Sequence, residues 1–254
     1  MRVLITGAAG FVGQHMADEL AGNGHQAVGF GLEFKSPSRS LSSVHSGDLC
    51  DAAAVEKVVA GAACDACVHL GAISFVPSGR TNPAMMFSVN VMGTLNLLEA
   101  IRKHTPAARL LVVSTAHVYG TAPGSGSVRE DSPIAPTSMY AISKATADLT
   151  TLAYARQYGM AAMTVRPNNH AGPRQAPQFF IASFVSQIRA IAAGKAEPVL
   201  KVGNLDSRRD VTDVRDVVKA YRLLLETGHA GEAYNISSQN VLTVREVLDK
   251  LCSL

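Results

Sequence analysis

A tyrosine and a lysine four residues apart, Tyr140 and Lys144, are the side chains of this chain whose spacing suits proton transfer. They stand in the stretch MYAISK, after a Pro-Thr-Ser approach. Residues four apart on a helix share one face, so both side chains can point into one cleft. A nearby ammonium stabilises tyrosinate, and we therefore expect the pKa of Tyr140 to be lowered from about 10. The same pair also arises by chance, so its interpretation depends on the elements that surround it.

A glycine series in the stretch TGAAGFVG has a defined physical use. Gly7, Gly10 and Gly13 stand directly between the apolar run RVLIT and a helix-length segment. Glycine at these points permits a tight turn, close approach of the backbone to a pyrophosphate and close packing of helix on strand. The helix start offers unpaired N–H groups and a positive dipole end to the phosphates. Placed after the first strand, the series predicts a dinucleotide site rather than a merely structural turn.

Short β-rich runs alternate with helix-length amphipathic segments up to Pro167. The predicted strands are RVLITGA, QAVGF, DACVHLGA, ARLLVVST and AAMTVRP. The predicted helices are Gly13–Gly22, AAAVEKVVAG, MMFSVNVMGTLNLLEAIRKH and MYAISKATADLTTLAYARQYG. This alternation predicts an α/β fold, a Rossmann-like doubly wound parallel sheet with helices on both faces. We expect residues 1–167 to form an NAD(P)-binding domain.

After Pro167 the regularity fades. A helix through FIASFVSQIRAIAAG, a short strand near EPVLKVG and a helix at VRDVVKAYRLLLETG predict a smaller C-terminal substrate-binding lobe, residues 168–254, interleaved with the sheet. Thr243 with Glu246 three residues later predicts a capping box that opens the last helix. Residues 121–138, rich in Gly, Pro and Ser, are predicted to form a loop.

Bulk properties argue against several function classes. A chain of 254 residues, 47% hydrophobic and 17% charged, predicts a globular protein with a substantial core. The net charge of +3 with no long basic run predicts no nucleic-acid partner. No run predicts a signal sequence or a membrane span, so we expect a cytoplasmic protein. Cys64 and Cys67 spell C-x-x-C, but their stretch is typical of a buried strand, and no second pair completes a metal site.

The G-x-x-G-x-x-G spacing and the Tyr-x-x-x-Lys pair together resemble the extended short-chain dehydrogenase/reductases, the NAD-dependent epimerase/dehydratase family, over essentially the whole chain. The stretch STAHVYG matches the family strand that carries the hydroxyl member of the catalytic trio, which implies Thr115 beside Tyr140 and Lys144. The resemblance implies that Tyr140 gives a proton to a carbonyl oxygen as hydride reaches the carbon. Thr115 would hydrogen-bond the same oxygen, and Lys144 would also hold the nicotinamide ribose.

The resemblance also implies a cofactor site. GDLCD looks like the adenine-contacting turn, and HLGA matches the strand end whose backbone lines the cofactor. The implied contacts are Gly7, Gly10, Phe11, Val12, Gly13, Arg39, Asp48, Leu49, Leu70, Gly71, Ala72, Tyr140, Lys144 and Pro167. Gly31 stands where an acidic residue would bind a ribose 2′-hydroxyl, and Lys35 and Arg39 follow, so NADPH is favoured over NADH. The alternative is that Glu33, Lys35 and Arg39 simply face solvent.

The stretches RPNNHAGPRQ and VGNLDSRRDVTDVRDV look most like the GDP-mannose 4,6-dehydratases and the GDP-4-keto-6-deoxymannose reductases. This resemblance implies a GDP-linked sugar as substrate, contacted by Ser74, Thr115, Asn169, Arg174, Asn204 and Arg209. A bidentate guanidinium suits a diphosphate better than an ammonium does. For Arg209, a salt bridge to Asp210 or Asp213 is the structural alternative.

The two subfamilies differ in chemistry. A 4,6-dehydratase removes the C5 proton and protonates the departing C6 hydroxyl, using an Asp or Glu pair right after the catalytic Thr. Ala116 and His117 occupy those positions here, and alanine cannot transfer a proton. The stretch FIAS also matches the reductases. The resemblance therefore implies an oxidoreductase that reduces the C4 keto group of a GDP-4-keto-6-deoxyhexose with NAD(P)H, giving GDP-rhamnose or its C4 epimer.

Three alternatives stay open. A nucleotide-sugar 4-epimerase needs the same trio and no acid pair, a GDP-mannose 4,6-dehydratase-like enzyme shares the substrate motifs, and a non-catalytic dinucleotide-binding protein shares the fold. Asn168 stands where the resembling families usually have Phe. Those families typically continue some tens of residues past LDKLCSL, so we expect a lobe that is short at its C-terminal end. Many relatives pair through two long helices, and we expect a homodimer; the alternative is that the apolar positions of these helices form internal core.

Overall fold

Strands and helices alternate along the chain in a computed structural model, which describes residues 1–120 and 127–254. The predicted loop of residues 121–138 lies partly outside the described residues, and its described part, 127–138, contains neither helix nor strand. The elements are β1 (Arg2–Thr6), α1 (Phe11–Gly22), β2 (Gln26–Gly31), β3 (Leu41–Ser46), α2 (Ala52–Ala62), β4 (Ala66–His69), α3 (Ser78–Thr81), α4 (Pro83–Phe87), a π-helical turn (Ser88–Met92), α5 (Gly93–His104), β5 (Arg109–Val113), a 3₁₀ turn (Ala116–Tyr119), α6 (Met139–Tyr158), β6 (Ala162–Pro167), β7 (Asn169–Ala171), α7 (Phe180–Ala192), β8 (Arg208–Asp213), α8 (Val214–Thr227), β9 (Ala233–Ile236), β10 (Val241–Thr243) and α9 (Val244–Cys252).

The described chain divides into two compact units. The first contains Met1–Pro167 and Val218–Ile236, and the second contains Asn168–Val217 and Ser237–Leu254. Residues 218–236 therefore lie outside the lobe that was predicted to run from 168 to 254. The cause is strand pairing, because β9 joins the edge of β6 with Thr164 opposite Ala233.

The first unit is built on a seven-stranded sheet in the order β3-β2-β1-β4-β5-β6-β9, parallel throughout. The strand order reverses direction between β1 and β4. Right-handed crossovers then place α1 on one face and α2, α5 and α6 on the other. This is the Rossmann-like doubly wound arrangement predicted from the sequence. In such sheets ligands bind outside the carboxyl ends of the strands at the reversal point, here the ends of β1 and β4.

Both faces of the sheet are covered. Val3, Leu4 and Ile5 follow one another in β1 and each has an exposed fraction of 0%. Successive strand residues point to opposite faces, so burial of all three requires packing on both sides. Cys67 in β4 and Cys64 just before it are free and buried, as their strand-like stretch predicts. Burial raises the pKa of both thiols.

The helical stretch Pro83–His104 corrects one expectation. By length and mean hydropathy, 1.3 over its most apolar window, it could cross a membrane, whereas no such run was expected from the sequence. Its side chains Leu97, Leu98 and Ile101 have exposed fractions of 1% or less. They belong to the core cluster formed with α2 and the sheet. Packing within the unit therefore accounts for these three side chains, whereas Met85 and Met92 of the same stretch are about half-exposed.

The second unit contains a three-stranded sheet, β10-β8-β7, and a helix pair, α7 and α9, whose shared core includes Phe184, Val244 and Leu248. The predicted capping box is formed at α9, because the Thr243 hydroxyl accepts from the N–H of Glu246 and the Glu246 carboxylate accepts from the N–H of Thr243.

The strand predicted near EPVLKVG is not formed. The side-chain amide of Gln187, on α7, instead pairs with the backbone of Lys201. Its oxygen accepts from the Lys201 N–H at 2.8 Å and its nitrogen donates to the Lys201 carbonyl at 3.1 Å. One side chain thus satisfies the backbone groups that a neighbouring strand would satisfy in a sheet.

The loop between β1 and α1 depends on glycine. Gly7 has a φ of +68°, a left-handed conformation that favours glycine. At Gly13 a Cβ would lie 2.4 Å from the Gly7 carbonyl oxygen and 2.7 Å from the Ala8 Cα. The helix start therefore lies closer to the backbone of the preceding loop than any side chain at Gly13 would permit.

We expect Gly13→Ala to destabilise the first unit and to weaken dinucleotide binding, because the new methyl meets backbone atoms that cannot rotate away. Overpacking of this kind costs about 1–3 kcal/mol. Gly22→Ala is the matched control on the same helix, since a Cβ there meets nothing within 4 Å. Thermal unfolding and NADPH fluorescence titration of both variants measure the effect. Equal behaviour of the two variants would contradict this account of the loop.

Candidate active site

The three predicted catalytic residues come together in the first unit. α6 begins with Ser138 as N-cap, whose hydroxyl accepts from the N–H of Ala141 at 3.2 Å, and this places Tyr140 in the first turn and Lys144 in the second. Tyr140 is half-buried, and Lys144 has an exposed fraction of 5%. The buried Thr115 hydroxyl, at the end of β5, lies close enough to Tyr140 to influence its ionisation.

The expected lowering of the Tyr140 pKa is wrong. Its surroundings raise the pKa to about 12, because burial opposes formation of the phenolate, and the nearby Thr115 hydroxyl offsets only part of that rise. Burial also lowers the pKa of Lys144 to about 8, with the Asp148 carboxylate acting in the opposite direction. Tyr140 therefore holds its proton at neutral pH, the form that can donate to an oxygen.

A buried ion pair supports the catalytic helix one turn beyond Lys144. The Arg166 guanidinium, at the end of β6, donates from Nε to Asp148 Oδ2 at 2.9 Å and from Nη2 to Oδ1 at 3.1 Å. The exposed fractions of the two side chains are 3% and 0%. The hydroxyl of Thr164 also donates to Asp148, at 3.2 Å, and Arg166 Nη1 donates to the Tyr119 hydroxyl at 2.8 Å. The charges are thus paired and hydrogen-bonded, as buried charges must be.

A buried histidine links the ends of β1 and β4. His69 Nδ1 lies 2.7 Å from Thr6 Oγ1, which also accepts from the N–H of Gly71 at 3.1 Å. His69 Nε2 lies 3.0 Å from Thr94 Oγ1, which donates its proton to the Asn90 carbonyl at 2.6 Å. Thr94 must therefore accept from His69, and this assigns the imidazole proton to Nε2. Burial lowers the pKa of His69 to about 3, so the ring is neutral.

Asn90 extends this network to the catalytic helix. Its side chain accepts from the Ile73 N–H at 2.8 Å and donates to the Ile73 carbonyl at 3.1 Å and to Ser143 Oγ at 3.0 Å. The Ser143 hydroxyl donates to the Tyr140 carbonyl at 2.8 Å. Asn90 lies in the π-helical turn, an irregularity that often marks functional sites. The backbone around Tyr140 is thereby tied to the segment after β4.

The glycine loop fits a dinucleotide. α1 begins at Phe11 with Gly10 as N-cap, and the cap makes no side-chain hydrogen bond. The first turn also contains no acidic residue, so the helix start formed by Phe11, Val12 and Gly13 suits a phosphate. Gly10 N–H donates to the Gly7 carbonyl at 2.9 Å and closes the turn.

The other predicted cofactor residues lie at the ends of neighbouring strands. Leu49 packs against Gly71, because a Cβ at Gly71 would lie 2.5 Å from the Cδ1 of Leu49. The Asp48 carboxylate accepts from the N–H of Cys50 at 2.9 Å. Leu70 and Ala72 flank Gly71 directly after β4, and Pro167 ends β6. Arg39 is exposed between β2 and β3. Glu33 and Lys35 are both exposed and form an ion pair at 3.8 Å. The preference for NADPH over NADH stays a prediction.

The predicted substrate residues divide between the units. Ser74 and Thr115 belong to the first unit, and Ser74 is exposed. The second unit contains Asn169, Arg174, Asn204 and Arg209. Asn169 opens β7, Arg174 is exposed with a φ of +72°, and the Asn204 side chain accepts from the N–H of Asp206 at 2.9 Å.

Arg209 does not form the ion pair that was its structural alternative. Its guanidinium donates to the carbonyl of its neighbour Arg208 at 2.8 Å. Asp210 instead accepts from Ser237 and Ser238 after β9, and Asp213 from Arg215. Within the described residues, Arg209 therefore keeps its charge available to an anion.

Sequence reasoning did not identify four residues that organise the site: His69, Asn90, Asp148 and Arg166. A signal existed for Asp148, since it follows Lys144 by four residues and Tyr140 by eight and so continues the same helix face. The other three act through partners distant in the sequence, for which one chain carries no signal.

We expect Asp148→Asn to shift the alkaline limb of the pH–rate profile. Loss of the carboxylate removes the charge that raises the pKa of Lys144, so this pKa falls below about 8 and the alkaline loss of activity begins at a pH lower by about one unit. Removal of the partner of a buried charge also costs about 3–5 kcal/mol of stability. Initial rates across pH and urea unfolding measure both effects.

The double variant Asp148→Asn/Arg166→Gln is the control. It also lacks the Asp148 carboxylate, so the alkaline limb should stay where Asp148→Asn places it, whereas the stability lost through the unpaired Arg166 charge should be recovered in part. A limb that stays at the same pH in all three proteins would show that this ion pair does not influence Lys144.

Comparisons with known proteins identify the family of this chain. Residues 4–253 match the family model described as GDP-mannose 4,6 dehydratase. A GDP-6-deoxy-D-mannose reductase from Pseudomonas aeruginosa is 33% identical over 254 residues, 100% of this chain and 80% of the relative. The structure of RMD from Pseudomonas aeruginosa complexed with NADPH superposes with a TM-score of 0.87 at 31% identity, over 98% of this chain and 80% of that one. A dTDP-glucose 4,6-dehydratase, DesIV from Streptomyces venezuelae with NAD bound, gives 0.87 at 32% identity, over 100% and 80%. The chain therefore belongs to the GDP-mannose 4,6 dehydratase family of short-chain dehydrogenase/reductases and is an NAD(P)-dependent oxidoreductase that acts on a nucleotide sugar.

Proposed function

We propose that this enzyme reduces the C4 keto group of a GDP-linked 4-keto-6-deoxyhexose, with NADPH as the preferred hydride donor. The observation that carries the proposal is Ala116 directly after Thr115. Ala116 opens the 3₁₀ turn beside the catalytic hydroxyls with a methyl group only. An elimination of water needs an acid to protonate the departing hydroxyl, and a methyl group cannot supply it. Reduction of a ketone has no such requirement.

The groups present suit a reduction. Bound NADPH supplies hydride to the carbonyl carbon. Tyr140, protonated because its pKa is raised to about 12, donates its proton to the carbonyl oxygen, and the Thr115 hydroxyl hydrogen-bonds the same oxygen. Lys144, with a pKa of about 8, is charged at neutral pH and stabilises the tyrosinate that remains.

The nucleotide is proposed to be GDP on two grounds. A relative that covers the whole chain at 33% identity is named a GDP-6-deoxy-D-mannose reductase. Arg174 and Arg209 bring two guanidinium groups to the second unit, and guanidinium groups suit a diphosphate. A dTDP sugar carries the same diphosphate, so a comparison of GDP-linked and dTDP-linked sugars is needed to identify the base.

We also propose a cytoplasmic homodimer. Met85, Met92 and Leu149, on the helices predicted to pair, have exposed fractions of 49 to 50%. Apolar side chains so exposed on neighbouring helices form a surface that a second copy would cover.

The decisive assay incubates the protein with freshly made GDP-4-keto-6-deoxymannose and NADPH, and in parallel with NADH and with the dTDP-linked 4-keto sugar. We expect one NADPH consumed for each GDP sugar reduced, followed by NMR assignment of the C4 configuration. A 4-epimerase would interconvert its sugars without net consumption of cofactor. A 4,6-dehydratase would convert GDP-mannose with no added reductant. Either result would replace the proposal.

In the same assay, we expect Tyr140→Phe to lower kcat by roughly 10²- to 10⁴-fold, the range for loss of a positioned acid. The ring is kept, so NADPH affinity should change little. Tyr154→Phe, on the same helix, is the control, because its hydroxyl instead donates to the Glu99 carboxylate at 2.7 Å. Full activity in Tyr140→Phe would refute proton donation by this residue.

A further inference from the structure

An acidic residue of α1, Asp18, anchors the loop between β2 and β3 (residues 32–40). The hydroxyl of Ser38 donates to Asp18 Oδ1 at 2.8 Å, and the hydroxyl of Ser40 donates to the same oxygen at 2.7 Å. Ser38 Oγ also accepts from the N–H of Ser40 at 3.1 Å. All three residues are half-buried, so these bonds are partly shielded from water. One carboxylate thus fixes both residues that flank Arg39.

Arg39 itself has no partner in this loop. The residue is exposed, and within residues 1–120 and 127–254 its guanidinium makes no hydrogen bond or ion pair. A guanidinium binds phosphate oxygens through charge-assisted hydrogen bonds. A cation whose neighbours are fixed and whose own donors are unused is therefore suited to a phosphate group.

The β2–β3 loop begins beside the glycine loop. Phe30, near the end of β2, accepts from the N–H of Ala8 in the glycine loop at 3.3 Å. When a dinucleotide binds with its pyrophosphate at the helix start, the end of the second strand is where its adenosine ribose is recognised. Gly31 ends this strand and offers no side chain to a ribose hydroxyl. Recognition of the ribose therefore falls to the loop that follows.

The first part of this loop is also fixed, by the ring of Phe34. A Cβ at Gly31 would lie 3.6 Å from Phe34 Cζ, and a Cβ at Gly29 would lie 3.3 Å from Phe34 Cε1. The ring therefore packs on β2 where two successive same-face positions are glycine. The loop is thus held on β2 by Phe34 and on α1 by Asp18.

We propose that Asp18 is a positioning residue for the cofactor, which presents Arg39 to the 2′-phosphate of NADPH and so sets the choice of NADPH over NADH. This role rests on the proposed preference for NADPH. Its physical basis is preorganisation, because an arginine on an unanchored loop loses more conformational freedom on binding than one whose neighbours are already fixed. NADH has a hydroxyl in place of the 2′-phosphate, so its affinity does not depend on Arg39 or on Asp18.

The carboxylate of Asp18 has a rival role with the opposite effect. An acidic group at the ribose accepts from the 2′-hydroxyl of NADH and disfavours the phosphate of NADPH. Asp18, however, lies on α1 and not at the end of β2, and its Oδ1 already accepts from two serine hydroxyls. The anchoring role predicts that removal of Asp18 weakens the preference for NADPH, whereas the rival role predicts that it strengthens this preference.

The test is a fluorescence titration of the protein with NADPH and with NADH, without sugar substrate. We expect the unmodified protein to bind NADPH more tightly, and Asp18→Ala to raise the Kd for NADPH about 10-fold while the Kd for NADH stays constant. Ser38→Ala/Ser40→Ala removes the two donors and should have the same effect. Ser42→Ala is the matched control and should change neither Kd, because its hydroxyl donates to the Ala27 carbonyl at 2.9 Å.

Two further measurements show whether Asp18 acts through Arg39. Arg39→Ala should remove most of the preference for NADPH, and addition of Asp18→Ala to that variant should raise the Kd for NADPH no further. Asp18→Asn keeps an oxygen that accepts from both serines, so it should retain most of the preference. Trypsin cleavage after Arg39 in the cofactor-free protein measures the anchoring itself, and should be faster in Asp18→Ala than in the unmodified protein.

The outcomes separate the role of Asp18 from the proposed function. A preference for NADPH that Asp18→Ala leaves unchanged, or lowers equally with and without Arg39, overturns the role of Asp18 and leaves the preference in place. A stronger preference in Asp18→Ala overturns it in favour of the rival role. Equal Kd values of NADPH and NADH for the unmodified protein overturn the proposed cofactor preference and the role of Asp18 together, whereas reduction of the GDP sugar is judged by its own assay.

Discussion

The buried ion pair between Asp148 and Arg166 fixes α6 on the sheet. Removal of two charges from water is costly, and here the cost is offset by two direct hydrogen bonds and by further bonds from Thr164 and to Tyr119. Because Arg166 belongs to β6, the pair sets both the height and the rotation of α6. Lys144 and Tyr140, one and two turns earlier on the same face, are thereby directed to the carboxyl end of the sheet. Their placement is a consequence of this pairing more than of the helix start.

A second hydrogen-bond network connects α6 to the ends of β1 and β4. His69, held neutral between Thr6 and Thr94, joins the strand before the glycine loop to the helical segment that carries Asn90. Asn90 then reaches Ser143 in α6. The glycine loop and Tyr140 are therefore parts of one hydrogen-bonded framework in the first unit. Such a framework lets a cofactor and a phenol be held in a constant relation, which hydride and proton delivery to one carbonyl group requires.

The sequence predicted the parts of this site that depend on local periodicity. The Tyr140–Lys144 pair follows from helical spacing, the glycine loop from its position after β1, and the capping box from Thr243 and Glu246. It did not predict β3, whose half-exposed LSSVHS carries little apolar signal, or the absence of a strand near EPVLKVG, which depends on a distant Gln187. The direction of the Tyr140 pKa was missed for the same reason. Desolvation depends on what surrounds a side chain in three dimensions, whereas the attraction of a lysine four residues away can be read from the chain.

Desolvation determines which side chains of the site carry a proton at neutral pH. Burial disfavours the charged form of every group, but the consequence depends on which form is charged. For the phenol and the imidazole it moves titration away from neutral pH, so Tyr140 stays a donor and His69 stays neutral. For the amine it moves titration toward neutral pH, to about 8 for Lys144. Burial alone would favour deprotonation of Lys144, and the ammonium that stabilises tyrosinate would then be lost. The Asp148 carboxylate opposes that loss, and the ion pair that anchors α6 therefore also helps to keep its lysine charged.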